Sequence, residues 1–157
     1  MNPLSRIDPD DPYPESDGEP MAETPQQYDW IVKLKENIEW RFADDPQVFV
    51  AADLFWYPVP DRRIIGPLAP DVLVVFGRPK GPRGCYKQWE EDGIAPQVVF
   101  EVLSPSNSAK EQRDKRDFYE TYGVEEYYVY DPERNRLEIW RRHQGQLQAV
   151  SHLNGWV

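Results

Sequence analysis

The chain has 157 residues, a single cysteine and a formal net charge of −10. This length is expected to form one domain, and no stretch approaches the roughly 18 consecutive apolar residues that a membrane span needs. The lone Cys85 excludes an internal disulfide and a cysteine-based metal cluster. The first residues lack the basic and apolar regions of a secretory signal, so the expected location is the cytoplasm, with no membrane partner.

The first 25 residues differ in composition from the rest of the chain. They hold six of the sixteen prolines and almost no large apolar side chains, which predicts a disordered, acidic, Pro-rich tail over 1–25. Residues 1–30 carry eight acids against one arginine, a net of −7, and the remaining chain carries 20 acids and 17 bases, a net of −3. The single folded domain expected over 26–157 is therefore nearly neutral, which does not favour a dedicated DNA-binding domain.

The first half of this domain begins with a helix. Apolar residues recur at three- and four-residue steps over 26–43, as one face of an amphipathic helix requires. Strands are predicted over 47–57 and over 72–76, and the continuous apolar run of the second is typical of a strand covered on both faces. Residues 77–93 are rich in glycine and in basic side chains and are expected to form a loop.

The second half predicts one helix between strands. A strand is expected over 98–103 and a helix over 109–122. Two strands over 127–131 and 137–142 are joined by a short turn and form a hairpin, and a weaker strand follows over 147–152. This order predicts an α/β fold with a central mixed β-sheet flanked by helices.

One acid interrupts an apolar strand. Glu101 lies within the run VVFEVL, where a buried carboxylate is costly unless a cation or hydrogen bonds compensate it. A second acid, Asp71, opens the neighbouring apolar strand directly after Pro70. Taken alone, Asp71 is compatible with a strand-start acid, and Glu101 with half of a buried ion pair. Together they predict an oxygen-rich pocket of the kind that Mg²⁺ prefers.

These residues resemble a known nuclease motif. Pro70-Asp71, followed at position 101 by a glutamate in an apolar strand, is similar to the PD-(D/E)XK motif of restriction endonucleases and repair nucleases. Over roughly residues 45–140 the chain also resembles the Uma-type restriction endonuclease family, through VFEVLSPS, Lys115, FY, GV and EYYVYDP. The resemblance implies a restriction-endonuclease-like core and hydrolysis of DNA phosphodiester bonds with Mg²⁺ or Mn²⁺ as cofactor.

The resemblance also implies roles for single residues. Asp71, Glu101 and the backbone carbonyl of Val102 would hold the metal. The sequence departs from the parent motif at Leu103, where a catalytic lysine normally shares the strand face of the glutamate. The Uma-type pattern places a lysine on the following helix, matched here by Lys115, with Tyr119 on the same helix face. The alternative for Lys115 is an ordinary solvated helix residue.

Several expectations remain open on the sequence alone. Glu36 and Glu39 on the first helix are candidates to complete the site, with a solvated helix face as the alternative, and Asp53 has no assigned role. A catalytically inactive binding or regulatory module is the competing function, favoured by Leu103 and the acidic charge. A homodimeric assembly role is a further alternative.

Overall fold

The computed structural model describes residues 12–150. Within this range the helices are α1 Pro25–Arg41 and α2 Ala109–Tyr122, and a 3₁₀ turn covers Gln88–Glu90. The strands of the same range are β1 Val48–Ala52, β2 Trp56–Tyr57, β3 Val72–Phe76, β4 Tyr86–Lys87, β5 Val98–Val102, β6 Glu126–Asp131, β7 Arg136–His143 and β8 Gln146–Ala149.

Six strands form a mixed sheet in the order β1-β3-β5-β6-β7-β8. β5 and β6 pair in parallel, whereas the other neighbouring strands of this sheet are antiparallel. A parallel pair needs a crossover connection, and α2 supplies it here. The strands β2 and β4 form a separate two-stranded sheet. The predicted α/β fold with a central mixed sheet flanked by helices is confirmed.

The two faces of the large sheet are covered by different helices. On one face, Ile31 of α1 packs against valines of β1 and β3, including Val50 and Val74. On the other face, Tyr119 of α2 packs in a cluster with Leu73 and Val99. Because β3 is covered on both faces, it has no polar side, which explains its unbroken apolar sequence.

Both ends of α2 are set by local sequence. The Ser108 side chain accepts a hydrogen bond from the Glu111 backbone N–H, which satisfies one free donor of the first turn. Gly123 follows the helix with φ 101°, a left-handed conformation that favours glycine. The helix therefore begins and ends where the sequence predicted, and its register over the sheet is fixed.

The predicted strand over 47–57 is divided in the structure. Asp53 has φ 50°, so the chain leaves β1 there and resumes as β2 in the small sheet. The predicted loop over 77–93 contains β4 and the 3₁₀ turn. β4 forms because it pairs in parallel with β2, which lies far from it along the chain, although its own stretch has little strand character.

Residues 12–25, part of the tail predicted to be disordered, contact the folded domain in the structure. The Tyr57 hydroxyl donates to the Pro14 carbonyl at 2.5 Å, and the Tyr13 hydroxyl donates to the Pro60 carbonyl at 2.9 Å. Aromatic contacts hold a stretch that its composition alone would leave unfolded. Residues 1–11, and 151–157 with the end of the last predicted strand, lie outside the described residues.

β1 forms one edge of the large sheet, and a lysine covers part of that edge. Lys80 Nζ donates a hydrogen bond to the Val48 carbonyl at 2.8 Å. The side chain thereby occupies a backbone acceptor that an added strand would use. Within residues 12–150, neither helix is long and apolar enough to cross a membrane.

Candidate active site

Asp71 and Glu101 come together because β3 and β5 are antiparallel neighbours. Val72 pairs with Phe100, so Asp71, one residue before β3, stands opposite Glu101. Asp71 Oδ2 also accepts a hydrogen bond from the Val102 backbone N–H at 2.7 Å. The strand register thus brings the two predicted acids together and holds one carboxylate against the peptide of Val102.

Two side chains of α2 hold the carboxylate of Glu101. Lys115 Nζ lies 3.0 Å from Glu101 Oε2, and the Tyr119 hydroxyl donates to Glu101 Oε1. Both donors lie on one face of α2, since they are four residues apart. Glu101 is only 3% exposed, whereas 31% of the Lys115 side chain is exposed. Lys115 therefore bridges a buried carboxylate and the surface of the site.

Burial and like charge both act on Asp71. Burial raises the pKa of its carboxyl well above the ordinary value, and the neighbouring Glu101 raises it further, against the opposing effects of the Val102 N–H and Lys115. Burial alone would lower the pKa of Lys115, but the carboxylates of Glu101 and Asp71 outweigh it and raise that pKa. Lys115 is therefore a charged ammonium at neutral pH.

Both backbone polar groups of Val102 form hydrogen bonds with side chains. Gln27 Nε2 donates to the Val102 carbonyl at 2.8 Å, and the Val102 N–H donates to Asp71. Gln27 in turn accepts from the Glu23 backbone N–H at 2.9 Å. Gln27 was not predicted from the sequence, although a polar residue four positions before the buried Ile31, on the same face of α1, was a usable signal.

The site opens into a cleft of about 610 Å³. Its lining includes Asp71, Lys115, Gln27 and Asn107, and one wall is formed by the N-terminal segment before α1. Asp53, to which the sequence assigned no role, is exposed and lies in the same lining. Partial desolvation of its carboxyl within the cleft, followed by the charge of Asp17, raises the pKa of Asp53. The cleft is therefore lined by several acids, which are Asp17, Glu23, Asp53 and Asp71.

Residues 4–156 match the family model Uma2, described as "Putative restriction endonuclease". The chain belongs to the Uma2 family. It is also similar to a crystal structure described as "a putative nuclease belonging to DUF820 from Anabaena variabilis ATCC 29413", with a TM-score of 0.64 and 15% identity over 91% of this chain and 78% of that one. This likeness confirms the restriction-endonuclease-like fold. No curated protein matches the chain significantly.

Two acids considered as additions to the Uma2 site lie elsewhere. Lys35 Nζ contacts Glu39 Oε2 at 2.7 Å and Glu36 Oε1 at 3.4 Å. Glu39 lines a second cavity of about 440 Å³, beside β1 and Lys80. Glu36 and Glu39 are thus not brought to Asp71 and Glu101, because they lie two to three turns further along α1 than Gln27.

The Uma2 resemblance implies a divalent cation, and the residues present fit one. Asp71, Glu101 and the carbonyl of Val102 are all oxygen donors, the type that Mg²⁺ prefers. One ammonium, that of Lys115, faces the two adjacent carboxylates of Asp71 and Glu101, and the repulsion between these carboxylates helps to raise the pKa of Asp71. Within residues 12–150 no three His, Cys, Asp or Glu side chains cluster as metal ligands. Water would complete the coordination, as is usual for Mg²⁺.

Proposed function

We propose that this Uma2-family chain is a metal-dependent endonuclease that hydrolyses phosphodiester bonds of DNA. The observation that carries the proposal is the convergence of Asp71, Glu101 and Lys115 beside an open cleft. These groups come from β3, β5 and α2, and hydrogen bonds orient each carboxylate. The Uma2 family and the similar protein from Anabaena variabilis are both described as nucleases, which supports the same class of reaction.

The two carboxylates and the Val102 carbonyl are the proposed ligands of Mg²⁺ or Mn²⁺. When bound, the cation supplies positive charge against the phosphate and favours deprotonation of a water nucleophile. Asp71 is oriented by the Val102 N–H, and the Val102 carbonyl by Gln27. Glu101 is oriented by Tyr119 and Lys115. The chain's own contribution is therefore a set of oxygens held in fixed directions.

Lys115 is the proposed group that orients the nucleophile and stabilises charge on the phosphate. Hydrolysis joins the oxygen of water to phosphorus, breaks one P–O ester bond and delivers a proton to the leaving oxygen. A charged ammonium that reaches the cleft stabilises negative charge on the phosphate as this bond breaks. Leu103, at the parent lysine position, packs against the core instead. In this proposal Lys115 takes the role that the parent motif gives to a lysine at position 103.

Cleavage assays with Mn²⁺ on single- and double-stranded DNA test the proposal. We expect cleavage by the wild-type chain and its loss in Asp71→Asn, which keeps the shape of the side chain. Asp44→Asn, at an exposed acid outside the cleft, is the matched control and should cleave normally. DNA binding without cleavage under every metal condition would favour the inactive binding module instead.

A further inference from the structure

The carboxylate of Glu23 is bound by two hydroxyls beside the candidate active site. Ser104 Oγ donates to Glu23 Oε2 at 2.7 Å, and Ser106 Oγ donates to the same oxygen. Ser104 is only 7% exposed. An anionic group is therefore held by a built pair of donors on the loop between β5 and α2.

This loop is fixed close to the proposed metal ligands. It begins directly after Val102, and Asn107 Oδ1 accepts from the Ser104 backbone N–H at 2.8 Å, which sets its shape. Glu23, Asn107 and Lys115 line the same cleft as Asp71. Hydroxyl donors near a lysine are a combination that proteins use to bind backbone phosphates of nucleic acids. The oxygen of Glu23 thus occupies a position suited to a phosphate oxygen.

Glu23 belongs to a segment that crosses the cleft, here called the strap and defined as residues 12–23. Besides Glu23, its attachments include the Pro14 carbonyl, which accepts from Tyr57, and the Pro12 carbonyl, which accepts from Arg62 Nη1 at 2.9 Å. None of its residues is among the buried core residues, although Met21 and Ala22 pack against the cluster around Ile31. The strap can therefore leave the cleft at the cost of these two contacts, while the buried core residues stay in place.

The strap also carries negative charge along the cleft. Its acids are Glu15, Asp17, Glu19 and Glu23. Asp17 and Glu23 line the cleft together with Asp53 and Asp71. A nucleic-acid backbone brought to Asp71 would meet these charges at close range, and repulsion opposes its entry while the strap is in place. The acidic strap therefore competes with nucleic acid for the positions along the cleft that backbone phosphates would occupy.

We propose that Ser104 and Ser106 form a subsite for a backbone phosphate next to the scissile one, and that Glu23 occupies this subsite until nucleic acid displaces the strap. The inference rests on the proposed function, because it identifies the ligand as the backbone of the same substrate. We therefore expect the strap to lower the affinity of the chain for nucleic acid.

Binding of a fluorescent 12-nucleotide DNA, single- or double-stranded, to the full chain tests the subsite with Ca²⁺ as the only divalent cation. Glu23→Gln should tighten binding about tenfold, because it removes the charge that fills the subsite. Glu19→Gln makes the same charge change on an exposed side chain outside the cleft and should alter affinity less than about twofold. Adding Ser104→Ala and Ser106→Ala to Glu23→Gln should abolish the gain.

Hydrogen exchange of the backbone amides over 13–23 tests the displacement. Exchange in the wild-type chain should quicken when the 12-nucleotide DNA is added, whereas inorganic phosphate at the same phosphate concentration should have a smaller effect. Equal affinities of Glu23→Gln and Glu19→Gln would overturn the subsite even if the wild-type chain cleaves DNA. Tighter binding by Glu23→Gln without any cleavage would support the subsite and contradict the nuclease. Absence of binding in all variants would overturn both.

Discussion

Lys115 Nζ lies 3.0 Å from Glu101 Oε2, although the two residues belong to different elements and are separated by 14 positions. This contact places Lys115 at the candidate site, whereas an ordinary solvated helix residue would point away from Glu101. We expect Lys115→Ala to reduce DNA cleavage by about 100-fold or more, because it removes the charge that stabilises the phosphate. Mn²⁺ affinity should change little. Single-turnover cleavage and metal titration measure the two effects separately.

Arg113→Ala is the matched control for this variant. Arg113 is exposed on the same helix, and its replacement removes one positive charge, as Lys115→Ala does. A general effect on DNA attraction would weaken both variants similarly and would shrink in high salt. Equal losses in the two variants would show that Lys115 is an ordinary surface cation.

Leu103→Lys, introduced into Lys115→Ala, should restore part of the cleavage. Leu103 and Glu101 lie on the same face of the chain, because they are two residues apart in extended backbone. Leu103 also packs against the core, so the variant should lose about 1 to 3 kcal/mol of stability. Urea unfolding measures the cost. A folded double variant with no recovered activity would contradict the proposal that Lys115 takes the role of a lysine at position 103.

Glu101→Gln should abolish the stabilisation that Mn²⁺ gives the wild-type chain. The change removes the charge of a proposed ligand, so the metal no longer binds preferentially to the folded state. Without metal we expect a small change in stability, because the loss of the pair with Lys115 is offset by relief of repulsion with Asp71. Melting curves with and without Mn²⁺ test this, with Asp44→Asn as control. A metal-induced rise that persists in Glu101→Gln would contradict its role.

Glu91→Gln should destabilise the fold without affecting the active site. Glu91 is buried in the loop after β3, where its carboxylate contacts Arg78 at 2.7 Å and Arg83 at 2.6 Å. Loss of the charge leaves two arginines without their shared partner, at a cost of about 2 kcal/mol. Glu90→Gln, whose exposed carboxylate lies 4.0 Å from Lys87, should cost much less. Urea unfolding at pH 7 compares them.

The same carboxylate predicts a dependence of stability on pH. Burial raises the pKa of Glu91, but the hydrogen bonds from Arg83 and Arg78 outweigh it and lower that pKa below 4.5. Its contribution is therefore complete above pH 4.5 and is lost as the pH falls through the lower, folded-state pKa. The difference in unfolding free energy between the wild-type chain and Glu91→Gln should narrow on acidification. A constant difference from pH 7 to pH 3 would contradict this linkage.

The sequence predicted the parts of the molecule that local signals determine. Both ends of α2 follow from Ser108 and Gly123, and the pairing of Asp71 with Glu101 follows from two apolar strands that each carry one acid. Tertiary contacts decided the rest. Asp53 ends β1 in a left-handed conformation that aspartate adopts only where its surroundings favour it. The strap is ordered by aromatic partners far along the chain.

Gln27 depends on a tertiary contact in the same way, since its helical position places it on the buried face but does not show which group it meets. Glu36 and Glu39 were the candidates on α1, because acids of a first helix sometimes complete such sites, with a solvated helix face as the alternative. The structure instead turns an uncharged amide toward Val102. A donor is needed there because the group it meets is a carbonyl, and a carboxylate would repel it.

The hydrogen bond from Lys80 to the Val48 carbonyl bears on how copies of the chain meet at high concentration. An open sheet edge invites a strand from another molecule, and successive additions produce filaments. A charged side chain laid across β1 makes each such addition lose a hydrogen bond and bury an ammonium. Lys80, which does not line the cleft, thus protects the β1 edge against pairing with strands of further copies of the chain.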